Sequence, residues 1–117
     1  MNTEINYLYR DASNYKNHGS IIVSGHDPKA EKKFEQLLDG GEYFIARQVG
    51  FPDLFLWESE DYDFAFNPED DHCFHEMGEI LPTNADPTDK RTIQQVLEDF
   101  KIANKNGWET YDPNPNA

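Results

Sequence analysis

The chain has almost no cysteine: Cys73 is the single one in 117 residues. One thiol closes no internal disulfide, so nothing in the sequence asks for an oxidising compartment. Long apolar runs are missing too. The longest are a few residues, far short of the roughly 20 that cross a bilayer as a helix. The segment Met1–Asn6 has neither a basic cluster nor an apolar stretch, which argues against a secretory signal. These absences lead to the expectation of a cytoplasmic protein, from a bacterium or a phage-infected cell. Positive charge is scarce as well. There are 10 Lys and Arg against 23 Asp and Glu, for a formal charge of -13. Such a surface repels nucleic acid and anionic membrane and attracts basic partners or cations. Solubility alone is the plainer account of the same charge.

Aromatic residues, by contrast, are plentiful: eight Phe, six Tyr and two Trp. Each buries a large area, so a few of them close the core of a small domain. A disordered acidic chain would lack them. The length suits one domain, expected over residues 1–110, with 111–117 as a flexible tail.

The pattern along the chain predicts an α+β fold. Residues 5–10 alternate as a strand, with Ile5, Tyr7 and Tyr9 on one face. Residues 20–24 form a second strand, and the two make an antiparallel hairpin across a long polar connection. Asp27-Pro28 opens a helix with an apolar stripe of Ala30, Phe34, Leu37 and Leu38, which Asp39-Gly40-Gly41 ends. Leu54–Trp57 reads as a third strand and Cys73–Leu81 as a fourth, stopped at Pro82. Pro87-Thr88-Asp89 signals a last helix. Its residues Ile93, Val96, Leu97, Phe100 and Ala103 share one face, and Asn106-Gly107 closes it. The order ββαββα predicts a small antiparallel sheet of about four strands with both helices on one face.

Between Gln48 and Asp89 there is no Lys or Arg, and twelve acids stand in that stretch. Charge so segregated in sequence is expected to stay segregated in space. Carboxylates in rows imitate phosphates to Lys and Arg, and aromatics among them make good anchors. The candidate partner-binding residues are therefore Glu58, Glu60, Asp61, Tyr62, Asp63, Phe66, Glu69, Asp70 and Asp71. Asp61, Asp63, Asn67 and Glu69 are oxygen ligands at short spacing but lack the glycine and terminal Glu of the helix-loop-helix calcium motif. His72, His75 and Glu76 are metal-ligand types. On a strand, however, His72 and His75 point to opposite faces, and no second Cys/His pair completes a set. One of these histidines is expected to be hydrogen-bonded beneath the sheet. Tyr15, Lys16 and His18 in the hairpin loop have no nucleophile–base pair or phosphate loop beside them, so no catalytic residue and no cofactor is assigned. Tyr7, Tyr9 and Arg10 are expected to support the fold, Arg10 by bridging carboxylates of the acid-rich segment.

The run Tyr7-Leu-Tyr-Arg-Asp-Ala-Ser-Asn-Tyr-Lys-Asn-His-Gly19, with Pro52-Asp-Leu54, Asp71-His72 and His75-Glu76, resembles an uncharacterised family of bacterial proteins of similar length. The resemblance extends to about Thr83. That family typically reads Asp-His-x-Trp-His-Glu at the later motif, where this chain has Cys73 and Phe74 in the middle. The family implies no activity and carries over no catalytic residue. In charge and size the chain is also similar to small acidic inhibitors, such as nuclease immunity proteins and phage proteins that imitate nucleic acid to block restriction or CRISPR enzymes. The functional expectation is a non-enzymatic acidic interaction protein. It would dock into a basic, nucleic-acid-binding site of a partner protein, binding neither nucleic acid nor membrane itself. The alternative is a metal-binding protein or metal-assisted enzyme built on His72, His75 and Glu76.

Overall fold

The computed structural model describes residues 1–116; the expected tail reaches Ala117, which lies outside them. Four strands form one antiparallel sheet: β1 (Asn2–Arg10), β2 (Lys16–Val23), β3 (Tyr43–Phe44) and β4 (His75–Thr83), in spatial order β2-β1-β4-β3. Two helices, α1 (Ala30–Leu37) and α2 (Ile93–Asn106), complete an α+β fold. No helix among the described residues is long and apolar enough to cross a membrane.

The alternation in β1 builds the core. Thr3, Ile5, Tyr7 and Tyr9 are buried, while Asn2, Glu4, Asn6, Leu8 and Arg10 face the other side and are half-exposed. Ile5 and Tyr7 join Ile21 and Val23 of β2, Phe34 of α1, and Val96, Leu97 and Phe100 of α2 in one apolar cluster. Both helices thus cover the same face of the sheet. Phe34 and Phe100 meet edge-on with centroids 4.9 Å apart, and Tyr7 lies 5.1 Å from Phe51. Such tilted contacts suit the ring quadrupoles. The α2 periodicity is fully realised, since all five of its expected core residues are buried. Thr92 caps α2, accepting from the Gln95 N–H while the Gln95 side chain accepts from the Thr92 N–H.

Several boundaries differ from the sequence expectation. β2 begins at Lys16, so the hairpin connection is a tight turn rather than a long loop. Asn14 makes the turn possible by adopting a left-handed conformation (φ 69°), which Asn tolerates better than most residues. Regular helix α1 starts at Ala30, and Asp27 instead caps the preceding turn by accepting the Lys29 N–H. Pro87-Thr88-Asp89 does not open α2; the helix starts at Ile93. The Thr88 and Asp89 N–H groups bond the Ile22 carbonyl, and the Ser24 N–H bonds that of Arg91. This segment therefore satisfies part of the edge of β2.

Leu54–Trp57 is not a strand. It crosses the core face of the sheet and ends in a 3₁₀ turn over Leu56–Glu58. Phe55 and Leu56 are both buried, and that is incompatible with one residue in and the next out. Its backbone is satisfied by side chains: the Leu54 N–H donates to His75 Nε2, and its carbonyl accepts from Asn17 Nδ2. The fourth sheet member is instead the two-residue β3, paired with His75 and Glu76. β4 begins at His75, not Cys73, and runs through Pro82 to Thr83. Beyond Glu76 it has a strand neighbour on one side only, and a free edge tolerates proline.

Candidate functional site

At the Tyr9 end of the core face the helices give way to a second cluster: Tyr9, Phe55 and Leu56, with Trp57, Phe64 and Tyr111 packed against them. The acidic loop 58–74 is laid over this cluster and fastened to the β1–β2 turn. Tyr9, fully buried, donates its hydroxyl to Asp71 Oδ1 at 2.6 Å and accepts the His72 N–H at 3.3 Å. Burial and this carboxylate together hold the Tyr9 phenol far above its ordinary value. Asp71 Oδ2 accepts the Asn67 N–H, which closes the turn 67–71. Asp70 accepts from Ser13 Oγ at 2.9 Å, and its carbonyl accepts the Ala12 N–H. Asp11 is buried and accepts the Tyr15 N–H.

The remaining candidate acids face solvent. Glu58, Glu60, Asp61, Asp63 and Glu69 are exposed, and none of them enters the ion pairs found among the described residues. Other acids of the base-free stretch do have partners: Asp53 with Arg47, Glu76 with Arg10 and Asp89 with Arg91. Exposed acids outside these ion pairs also lie off the loop, Glu79 and Asp86 in the same stretch and Glu31, Glu35 and Glu98 on the helices; what sets the loop apart is that its five follow one another closely in the chain. Tyr62 is exposed and lies 6.0 Å from Phe64, which lies 5.1 Å from the exposed Tyr15. Phe66 turns inward and meets Trp57 edge-on at 5.0 Å. A cavity of about 130 Å³ is lined by Asp11, Tyr15, Phe64, Asn67, Asp70 and Asp71, among others. Tyr15, Asp11 and Phe64 were not among the candidate site residues. Tyr15 meets Phe64 across about 50 positions of chain, so no local pattern announces that contact.

Arg10 reaches one carboxylate of the acid-rich segment, where bridging of several was expected. Its Nε donates to Glu76 at 2.8 Å, and its Nη1 donates to Asn14 Oδ1. The histidines separate. His75 is fully buried beneath the sheet; burial, the larger effect, lowers its ring to about 4 despite the nearby Asp53. His72 uses both ring nitrogens, with Nδ1 accepting the Phe74 N–H and Nε2 donating to the Arg10 carbonyl. With Glu76 paired to Arg10, these three residues form no joint ligand set. Among the described residues no three His, Cys, Asp or Glu side chains come together to hold a metal. Comparisons with protein-family models, with curated proteins and with solved structures find nothing that matches this chain.

Proposed function

We propose that the chain is a non-enzymatic inhibitor that presents the loop 58–71 to a basic, nucleic-acid-handling site of another protein in the cytoplasm. The observation that carries this reading is the set of exposed acids without counter-ions, Glu58, Glu60, Asp61, Asp63 and Glu69, beside the exposed rings of Tyr15 and Tyr62. Unpaired carboxylates steer a cationic surface and rank with phosphate as acceptors for Arg and Lys. The aromatics supply the apolar anchors an interface needs at its centre. The cavity lined by Tyr15, Phe64 and the acids Asp11, Asp70 and Asp71 combines aromatic and acidic residues, a lining that suits a cationic side chain of the partner. Phage anti-defence, against CRISPR or restriction enzymes, and nuclease immunity are the two settings in which such an inhibitor acts. The resemblance to the bacterial family adds no activity to this reading.

Asp70 and Asp71 have a double role in this scheme. They belong to the acidic face but also tie the loop to Ser13 and Tyr9, so they shape the surface as well as charge it. Affinity capture from a bacterial lysate tests the proposal. The chain should retain a nucleic-acid-binding protein, release it at high salt and release it to competing duplex DNA or RNA. A retained partner indifferent to salt and to nucleic acid would sink the proposal.

A further inference from the structure

The two edges of the sheet, at β2 and along β4 with β3, differ in what they offer. The β4 side is guarded. The Met77 N–H donates to the Glu42 carbonyl, Pro82 has no N–H, and the register against β1 shifts between Ile5 and Tyr7. On the β2 side only the far half is guarded. The Ile22 N–H donates to Thr88 Oγ1, and its carbonyl accepts from the Thr88 and Asp89 N–H groups. Ile22 therefore turns its N–H and C=O away from β1. Such groups repeat every two residues along a strand, and the β1–β2 register is unbroken from Val23 to Lys16. Ser20, His18 and Lys16 thus present their N–H and C=O groups outward in the same row. Among the described residues no other backbone group bonds this row, and His18 and Ser20 are exposed to solvent.

The open row ends at the docking loop. Tyr15, which directly precedes Lys16, lines the cavity with Phe64, Asp11, Asp70 and Asp71. A strand laid antiparallel on β2 runs toward that end, so its last residues arrive at the acids. Antiparallel addition is also the slightly stronger of the two pairings. A second copy of this chain fits poorly. It brings a charge of -13 against -13, and a lysine on an edge strand discourages such pairing. An extended segment with uncharged β-branched residues along His18 and Ser20 suits the row, and basic residues after them meet the carboxylates. We propose that the Lys16–Ser20 edge of β2 takes up an extended segment of the basic partner as a fifth strand, with the segment's cationic end at the cavity of Asp11, Asp70 and Asp71. This mode of binding rests on the docking reading above and adds to it a backbone component that charge alone does not supply.

The probe is the peptide acetyl-Thr-Val-Thr-Val-Thr-Arg-Arg-amide. Its control is the same peptide with every Thr and Val nitrogen methylated, equal in charge but without strand donors. Amide hydrogen exchange of the wild-type chain reads the pairing. At saturating probe the His18 and Ser20 amides should exchange about tenfold more slowly, or better, and the control should leave them unchanged. Ser20→Pro removes one outward donor at unchanged charge and should weaken binding of the probe by up to about tenfold. Where that variant does not fold, exchange in the wild-type chain decides. No added protection at His18 and Ser20, no binding of the probe, or full affinity in a folded Ser20→Pro chain would overturn the proposal. Equal binding of probe and control, lost when Glu60, Asp61 and Asp63 become Lys, would overturn the strand and leave the docking loop standing. Protection that survives those three reversals would keep the strand and count against the loop.

Discussion

Replacing Tyr9 by Phe removes one oxygen and two hydrogen bonds while leaving the ring. The ring packs 5.2 Å from Phe55 and 5.9 Å from Trp57, so Tyr9→Phe opens no cavity and the loss is purely polar. The short bond to Asp71, at 2.6 Å, has an ionised acceptor, and such bonds contribute about 1.5–3 kcal/mol. Asp71 is half-exposed and keeps the Asn67 N–H, so water and that donor offset part of the loss. The bond from the His72 N–H, at 3.3 Å, adds little. A destabilisation of about 1.5–2 kcal/mol is expected, against the ~3–5 kcal/mol of a large aromatic deletion such as Tyr9→Ala. Urea unfolding measures it as a lowered midpoint at unchanged slope. Because the lost bonds hold the loop to the sheet, native-state proteolysis should also cut within residues 58–71 before the domain unfolds. A change below about 0.5 kcal/mol with the loop still protected would refute the idea that Tyr9 anchors the acidic loop.

Three further perturbations separate the roles of neighbouring residues. Tyr7→Ala should cost about 3–5 kcal/mol by chemical denaturation, since Tyr7 is buried among Phe44, Phe51 and His75 and bonds the Pro52 carbonyl. Arg10→Ala should cost no more than about 1 kcal/mol, because the pair with Glu76 is partly exposed, and added salt should recover part of it; a larger, salt-insensitive loss would mean the pair is structural in a stronger sense. His75 takes up a proton in the unfolded chain near its ordinary value but in the folded chain only near 4. The unfolded state therefore binds more protons between those limits, and stability should fall as pH drops from about 6.5 to 4, by about 3 kcal/mol in all. His75→Phe should flatten the upper half of that slope, between about pH 5 and 6.5, where most carboxylates stay ionised; an unchanged slope in the Phe variant would assign the effect elsewhere.

What could be read in advance followed from periodicity. β1 and α2 have long, regular apolar patterns, and both lie where the pattern put them, with the predicted faces buried. The antiparallel sheet with two helices on one face follows from the order of such elements. The misreading of Leu54–Trp57 has a definite cause. A short apolar run looks the same as a buried strand and as a coil laid across a core. The side-chain partners that settle the matter, Asn17 and His75, are distant in sequence. The two-residue β3 is too short to carry a period at all. For the site, the base-free acidic stretch was plain in the sequence. The division of its acids was not, because Asp70 and Asp71 differ from Glu69 only in what the fold brings beside them. That Arg10 at the strand end would meet a carboxylate of the acid-rich segment was anticipated; that the carboxylate is Glu76 was not, because the register of β1 against β4 decides it. Tyr111, expected to begin a flexible tail, stacks beneath Arg47, a contact no local signal marks.

The central claim is that the position of the acidic charge, not its amount, makes the docking face. Two variants of equal net charge decide it. In one, Glu60, Asp61 and Asp63 of the loop become Lys; in the other, the exposed helical acids Glu31, Glu35 and Glu98 do. The measurement is the association rate of each with the captured basic partner as a function of salt. At low salt the loop variant should associate about tenfold more slowly than wild type, or worse, and its rate should lose most of its salt dependence. The helix variant should remain close to wild type. Equal slowing in both variants, or none in either, would contradict the account.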